Sequence, residues 1–165
     1  MRKWVTVLAV GLLCLCMAGC KKQAVAPAAT TDFSCNVRAV YDGLAVTGTL
    51  VRRSAGTLEL AFTSPETLNG LTAVWDGEDV TLQMHGLSFS VNADALPEQA
   101  LGEGVLAALD SALDKTMTPK LEGDTAVYEG TVEQGTYTLV CDKTSGKPLS
   151  LTMPSLQLQV TFEYP

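Results

Sequence analysis

The chain has 165 residues, 11 basic and 18 acidic, for a net charge of −7, and 47% of its residues are hydrophobic. This length holds one domain. The acidic balance excludes a nucleic-acid reader, which requires a basic stripe, and the chain contains no zinc-ligand spacing, Gly-rich phosphate loop or nucleophile elbow.

The N-terminus is the first recognisable element. Arg2 and Lys3 form a positive head, residues 4–17 are almost wholly apolar, and Met17-Ala18-Gly19 leads into Cys20. Such a sequence is a secretory signal whose cleavage site is adapted for lipid attachment. Its apolar span of roughly 14 residues is shorter than the about 20 needed to cross a bilayer. The junction resembles the lipobox of bacterial lipoproteins, with Met17 where leucine is usual. The resemblance implies lipidation of Cys20, by acyl chains such as palmitate, as the first residue after cleavage. Residues 1–19 are then a lipoprotein signal peptide, residues 20–31 a lipidated N-terminus and flexible tether, and residues 32–165 the folded domain.

Cleavage before Cys20 leaves 146 residues, with 9 basic and 18 acidic side chains and a net charge of −9. A domain this acidic is repelled by anionic headgroups, so membrane attachment has to come from the anchor. Lys21 and Lys22 are the local exception and sit where they would face the headgroups. The expected location is extracytoplasmic, on the cell membrane or the outer membrane according to the organism. Residues 21–31 lack aromatics and apolar periodicity, as a tether does.

From Phe33 onward, apolar residues alternate with polar ones at period two. Phe33, Cys35, Val37, Ala39 and Tyr41 share one side of a first strand. Asp42-Gly43 signals a hairpin, and the run from Leu44 to Arg52 reverses at Ser54-Ala55-Gly56. Leu58, Leu60 and Phe62 form a third strand. Ser64 as N-cap, Pro65 at the first helical position and Glu66 predict a short helical turn that ends at Gly70. Leu71 to Trp75 is a strand, Asp76-Gly77 a turn, and Val80, Leu82 and Met84 a further strand. At His85-Gly86 the apolar parity flips to Leu87, Phe89 and Val91, which requires a bulge or a turn.

Residues 97–114 change period. Leu101, Val105, Leu109 and Leu113 recur every four residues, predicting one amphipathic helix opened by Pro97-Glu98 and weakened by Gly102 and Gly104. Strands resume from Ala126 to Val132, Tyr137 to Cys141 and Leu149 to Met153, and a half-buried strand runs from Leu156 to Tyr164. The expected class is mainly β (α+β): a strongly curved antiparallel half-barrel of about nine strands. One long amphipathic helix and a short helical turn lie on its concave side, because a sheet with one helix must curve to cover its apolar face.

Three segments carry a resemblance to a known family: Leu60-Ala61-Phe62-Thr63-Ser64-Pro65, Val74-Trp75-Asp76-Gly77 and the loop Asp142-Lys143-Thr144-Ser145-Gly146-Lys147-Pro148. In order and spacing, from Phe33 to Pro165, they resemble the LolA/LolB/RseB family of bacterial envelope proteins, including lipoproteins of spore-forming bacteria with this fold. The resemblance implies a half-open antiparallel barrel plugged by helices, and a space that holds acyl chains or a surface that binds envelope proteins. The chain is shorter than LolA-type carriers and carries its own anchor signal, which argues against a shuttle.

No catalytic constellation is visible, so the expectation is a protein that is not an enzyme, without cofactor or metal. His85 has no visible partner, and Asp76, Glu78 and Asp79 read as a solvated hairpin tip. Two functions of different class remain. The first is binding of a lipid or acyl ligand in a concavity walled by Phe62, Trp75, Met84, Phe89, Leu101, Val105, Leu109 and Leu113, with a volume on the order of 300 Å³ or more. The alternative is a structural or regulatory lipoprotein that binds an envelope partner and fills the cavity with its own side chains. Gly102 and Gly104 leave the helix free to act as plug or lid. Cys35 and Cys141 point into the same apolar layer, in a compartment that permits a disulfide.

Overall fold

Alternation along the chain becomes a sheet with one wet and one dry face. The computed structural model describes residues 29–95, 101–114 and 116–165. The readings placed on residues 1–28 (signal peptide, Cys20 and most of the tether) lie outside them, as do Pro97-Glu98 at the expected helix start. In β1 (Phe33–Tyr41), Phe33, Cys35, Val37 and Ala39 are buried while Ser34, Asn36, Arg38 and Val40 are exposed. The same rule orders β2 (Leu44–Arg52) and β3 (Leu58–Ser64). It continues through β4 (Thr72–Trp75) and β5 (Asp79–Met84). β6 (Leu87–Asn92) keeps the alternation but lies mostly in solvent.

The helix α1 spans Leu101–Ser111. After it come β7 (Lys120–Glu122), β8 (Thr125–Val132), β9 (Gly135–Asp142), β10 (Pro148–Met153) and β11 (Leu158–Glu163). All eleven strands belong to one sheet in the order β6-β5-β4-β3-β2-β1-β11-β10-β9-β8-β7. Every neighbouring pair is antiparallel. The sheet does not close: β6 and β7 are its two edges.

That order explains the position of α1. The chain leaves β6 at one edge and re-enters the sheet at β7, the opposite edge, so the connection must span the concavity. α1 is the regular part of this connection and packs against β3, β8 and β9. Val105, Ala108, Leu109 and Ala112 are buried there with Leu50, Leu58, Leu60, Tyr128, Leu139 and Val160 in one core.

Four expectations are corrected. Among the described residues there are eleven strands, where about nine are expected. His85 and Gly86, at φ 50° and 81°, form a full two-residue turn that separates β5 from β6, and Lys120–Glu122 adds a strand too short for periodicity to reveal. α1 ends at Ser111, and Ala112 and Leu113 continue as a turn, so Leu113 lies beyond the helix. Ser64 closes β3 instead of capping: Pro65 is the N-cap of the 3-10 turn Glu66–Leu68 and no side chain caps it. Finally, Leu156 belongs to a 3-10 turn, Pro154–Leu156, and Gln157 at φ 48° reverses the chain into β11.

Candidate functional site

The concavity is the place where the sheet and α1 could enclose a ligand. Between them, an apolar slot lined by Val37, Leu50, Leu60, Phe62, Leu101 and Val105 has a volume of about 10 Å³. This is close to the room one water needs, and far below the roughly 300–1,000 Å³ of a small-molecule pocket.

Three polar links fasten α1 across the opening. The Trp75 indole N–H donates to Glu103 Oε1 at 2.7 Å. Arg52 donates through Nη2 to Asp110 Oδ1 as a salt bridge, and the Gly56 N–H reaches both Asp110 oxygens at 3.2 and 3.0 Å. The Tyr137 hydroxyl donates to Ser111 Oγ at 2.9 Å, and burial raises its pKa. Arg52 is only 1% exposed. Burial disfavours its charge and Asp110 opposes that effect. The pattern contained this signal: Arg52 has the parity of Val46 and Leu50, so an arginine on the core-facing side of β2 demands an anion. Apolar alternation alone passes over it.

The glycines of α1 serve contact. A Cβ on Gly102 would overlap the Trp75 ring, and one on Gly104 would come within 2.6 Å of Leu156 Cδ1. The helix therefore lies closer to β4 and to the Pro154–Leu156 turn than any larger residue permits.

The eight residues assigned to a ligand cavity fall into separate places. Trp75, Val105 and Leu109 are core residues. Phe62 and Leu101 line the narrow slot, and Leu113 packs at the core margin. Met84 is half-buried, and Phe89 is 58% exposed on the outer strand β6. α1 meets the sheet at Trp75, where Gly102 packs on the indole ring. A larger hollow, about 360 Å³, lies on the opposite face among Asn36, Arg38, Thr47, Thr49, Thr63 and Glu163. It is open and polar, with an Arg38–Glu163 ion pair at 2.7 Å and a Thr47–Thr63 hydroxyl contact at 3.0 Å.

Cys35 and Cys141 are buried and both thiols are free. They face the same apolar layer, yet β11 and β10 run between β1 and β9. Their backbones are thus three strand spacings apart, about 14 Å along the sheet, whereas a bridge needs a Cα separation under about 7 Å. The disulfide that the compartment would permit is not formed. Burial pushes the Cys35 thiol up to about 11 and the Cys141 thiol up to about 12. Among the described residues, no three His, Cys, Asp or Glu side chains gather to hold a metal, and no helix is long and apolar enough to cross a membrane.

No family model matches the chain, and no curated protein is similar to it in sequence. Several solved structures are similar to it, among them the following three. An uncharacterized conserved protein from Thermus thermophilus shares 11% identity over 78% of this chain and 74% of that one, with a TM-score of 0.49. A LolA superfamily protein from Nitrosomonas europaea shares 15% identity over 76% of this chain and 64% of that one, at a TM-score of 0.39. A chain from the complex of the CwlD amidase of Clostridioides difficile with the GerS lipoprotein shares 16% identity over 74% of this chain and 75% of that one, at 0.41. The architecture described above, an open antiparallel sheet with one helix across its concavity, is the one that the resemblance to the LolA/LolB/RseB family implied.

Proposed function

We propose that the chain is a lipid-anchored extracytoplasmic lipoprotein, not an enzyme, that works by binding a partner protein of the cell envelope. The observation that supports this reading is the narrow space among the described residues: an apolar slot of about 10 Å³ beneath a helix fastened at Trp75, Arg52 and Tyr137. A carrier of acyl chains needs a vacant apolar space or a helix free to swing away, and each fastening would have to break first. The anchor is read from Met17-Ala18-Gly19-Cys20.

The test is to purify the protein from its native membrane and search for co-bound lipid by mass spectrometry. A parallel sample is chemically crosslinked in the intact envelope. Lipid-free protein with a reproducible protein crosslink is expected. Recovery of about one acyl lipid per domain, beyond the anchor, would return the concavity to a ligand-binding role.

A further inference from the structure

We propose that the open edge of β6 docks an extended segment of the partner protein: a strand of alternating apolar and small polar residues, with a lysine or arginine at its N-terminal end. This rests on the partner-binding reading above, and adds where the partner sits and what chemistry it presents.

The two edges of the sheet are built differently. β7 has three residues, and its Lys120 and Glu122 are charged and joined by an exposed ion pair. A short, charged edge is how proteins guard against strand addition. β6 has six residues, Leu87-Ser88-Phe89-Ser90-Val91-Asn92, without charge or proline. It exposes 78% of Leu87 and 58% of Phe89, so among the described residues the edge lacks the charge, proline and shortness that usually protect one.

Its backbone is set to receive a strand. β5 and β6 are joined by the two-residue turn His85-Gly86, with Met84 opposite Leu87. In a hairpin of this kind the flanking pair is hydrogen-bonded and the pairs then alternate. Leu87 and Phe89 therefore bond inward to β5, while Ser88 and Ser90 direct N–H and C=O away from the sheet. The side chains specify the occupant. Leu87 and Phe89 stand on the concave face and call for apolar neighbours there. Ser88 and Ser90 stand on the outer face, where Ser90 already meets Thr81 at 2.7 Å, and they suit small polar neighbours.

Charge sets the direction. Asn92 pairs with Asp79, and the Ala93 N–H donates to the Glu78 carbonyl at 2.9 Å. The exposed side chains of Asp76, Glu78 and Asp79 therefore cluster at this end of β6. The opposite end, Met84-His85-Gly86, has no carboxylate. A strand antiparallel to β6 begins beside Asn92, so its basic residue belongs at its N-terminus.

The probe is a fluorescent peptide of two lysines followed by alternating valine and threonine, titrated into the full-length chain in detergent. Saturable binding with a dissociation constant of about 100 μM or tighter is expected. It should weaken about tenfold or more in Phe89→Lys and Leu87→Lys, and for the peptide carrying its lysines at the C-terminal end. Leu121→Lys, on the β7 edge, should leave it unchanged. Circular dichroism confirms that the exposed substitutions keep the fold. Absence of saturable binding at about 1 mM peptide, or equal weakening by Leu121→Lys, overturns the proposal. So does a concentration-dependent dimer abolished by Phe89→Lys, which would assign the edge to a second copy. A photo-crosslinker at Ser88 that captures nothing in cells, while one at Thr49 on the outer face captures a protein, overturns the edge assignment and leaves the partner-binding function standing.

Discussion

At the residue scale, Arg52 is the side chain whose position carries the largest consequence. It is 1% exposed, Nη2 is held by Asp110, and Nε and Nη1 have no hydrogen-bond partner. A guanidinium in this state depends on its one anion. Asp110→Ala should destabilise the domain by about 3 kcal/mol, the lower end for breaking a buried pair because Asp110 keeps partial contact with solvent. Urea unfolding measures this, and a loss under about 1 kcal/mol would mean that water reaches Arg52. The paired change Arg52→Met with Asp110→Leu should recover much of the loss, since removing both charges leaves nothing uncompensated. The thiols make a second residue-scale prediction. Cys35 and Cys141 have folded values of about 11 and about 12 against an ordinary 9.0. A raised folded value means that the native state favours the neutral thiol. Its contribution to stability is thus complete below pH 9 and is lost as the pH rises toward 11 and 12. Urea midpoints should fall over that range, and fall less in a Cys35→Ala/Cys141→Ala variant. Native protein at neutral pH should resist thiol-labelling reagents until unfolded.

At the element scale, α1 inverts an ordinary expectation. Alanine in place of glycine inside a helix normally stabilises by about 1 kcal/mol. At Gly102 the new methyl group would overlap the rigid Trp75 ring, whereas at Gly104 the nearest atom is the terminal Cδ1 of Leu156, which can rotate away. Gly102→Ala should therefore cost about 1–3 kcal/mol, as overpacking does, and Gly104→Ala should be close to neutral. Equal effects of the two in chemical denaturation would refute the contact reading. This asymmetry also marks what the sequence could convey. Period two disclosed most of the strands because each has one buried face, and period four disclosed α1 because its stripe is buried. The same patterns say nothing about approach distance, so Gly102 and Gly104 read as weak points, when they are contacts. β7 stayed hidden because three exposed residues have no period. The Cys35–Cys141 bridge failed for a related reason: alternation assigns a face, but only strand order assigns neighbours, and the β1–β11 pairing joins the two ends of the domain.

At the scale of the whole molecule, surface charge and attachment have to be reconciled. The domain carries many more carboxylates than cations, so its surface is repelled by anionic lipid and supplies no affinity of its own. On the proposed anchoring, attachment would rest on Cys20, where each buried CH₂ of an acyl chain would contribute about 0.8 kcal/mol and two or more chains would hold durably. Lys21 and Lys22 add only about 1 kcal/mol each near an anionic surface, an amount that salt screens. Two consequences separate this account from peripheral binding by the domain. Wild-type protein should stay in the membrane fraction through a high-salt wash, because an acyl anchor is indifferent to ionic strength. Cys20→Ala should move the protein to the soluble fraction, or leave it with its signal uncleaved, as immunoblotting of fractionated cells would reveal by mobility and location. A Cys20→Ala variant that is cleaved normally and still pellets with membranes would transfer the attachment from the cysteine to the domain, and the acidic surface would then need a different explanation.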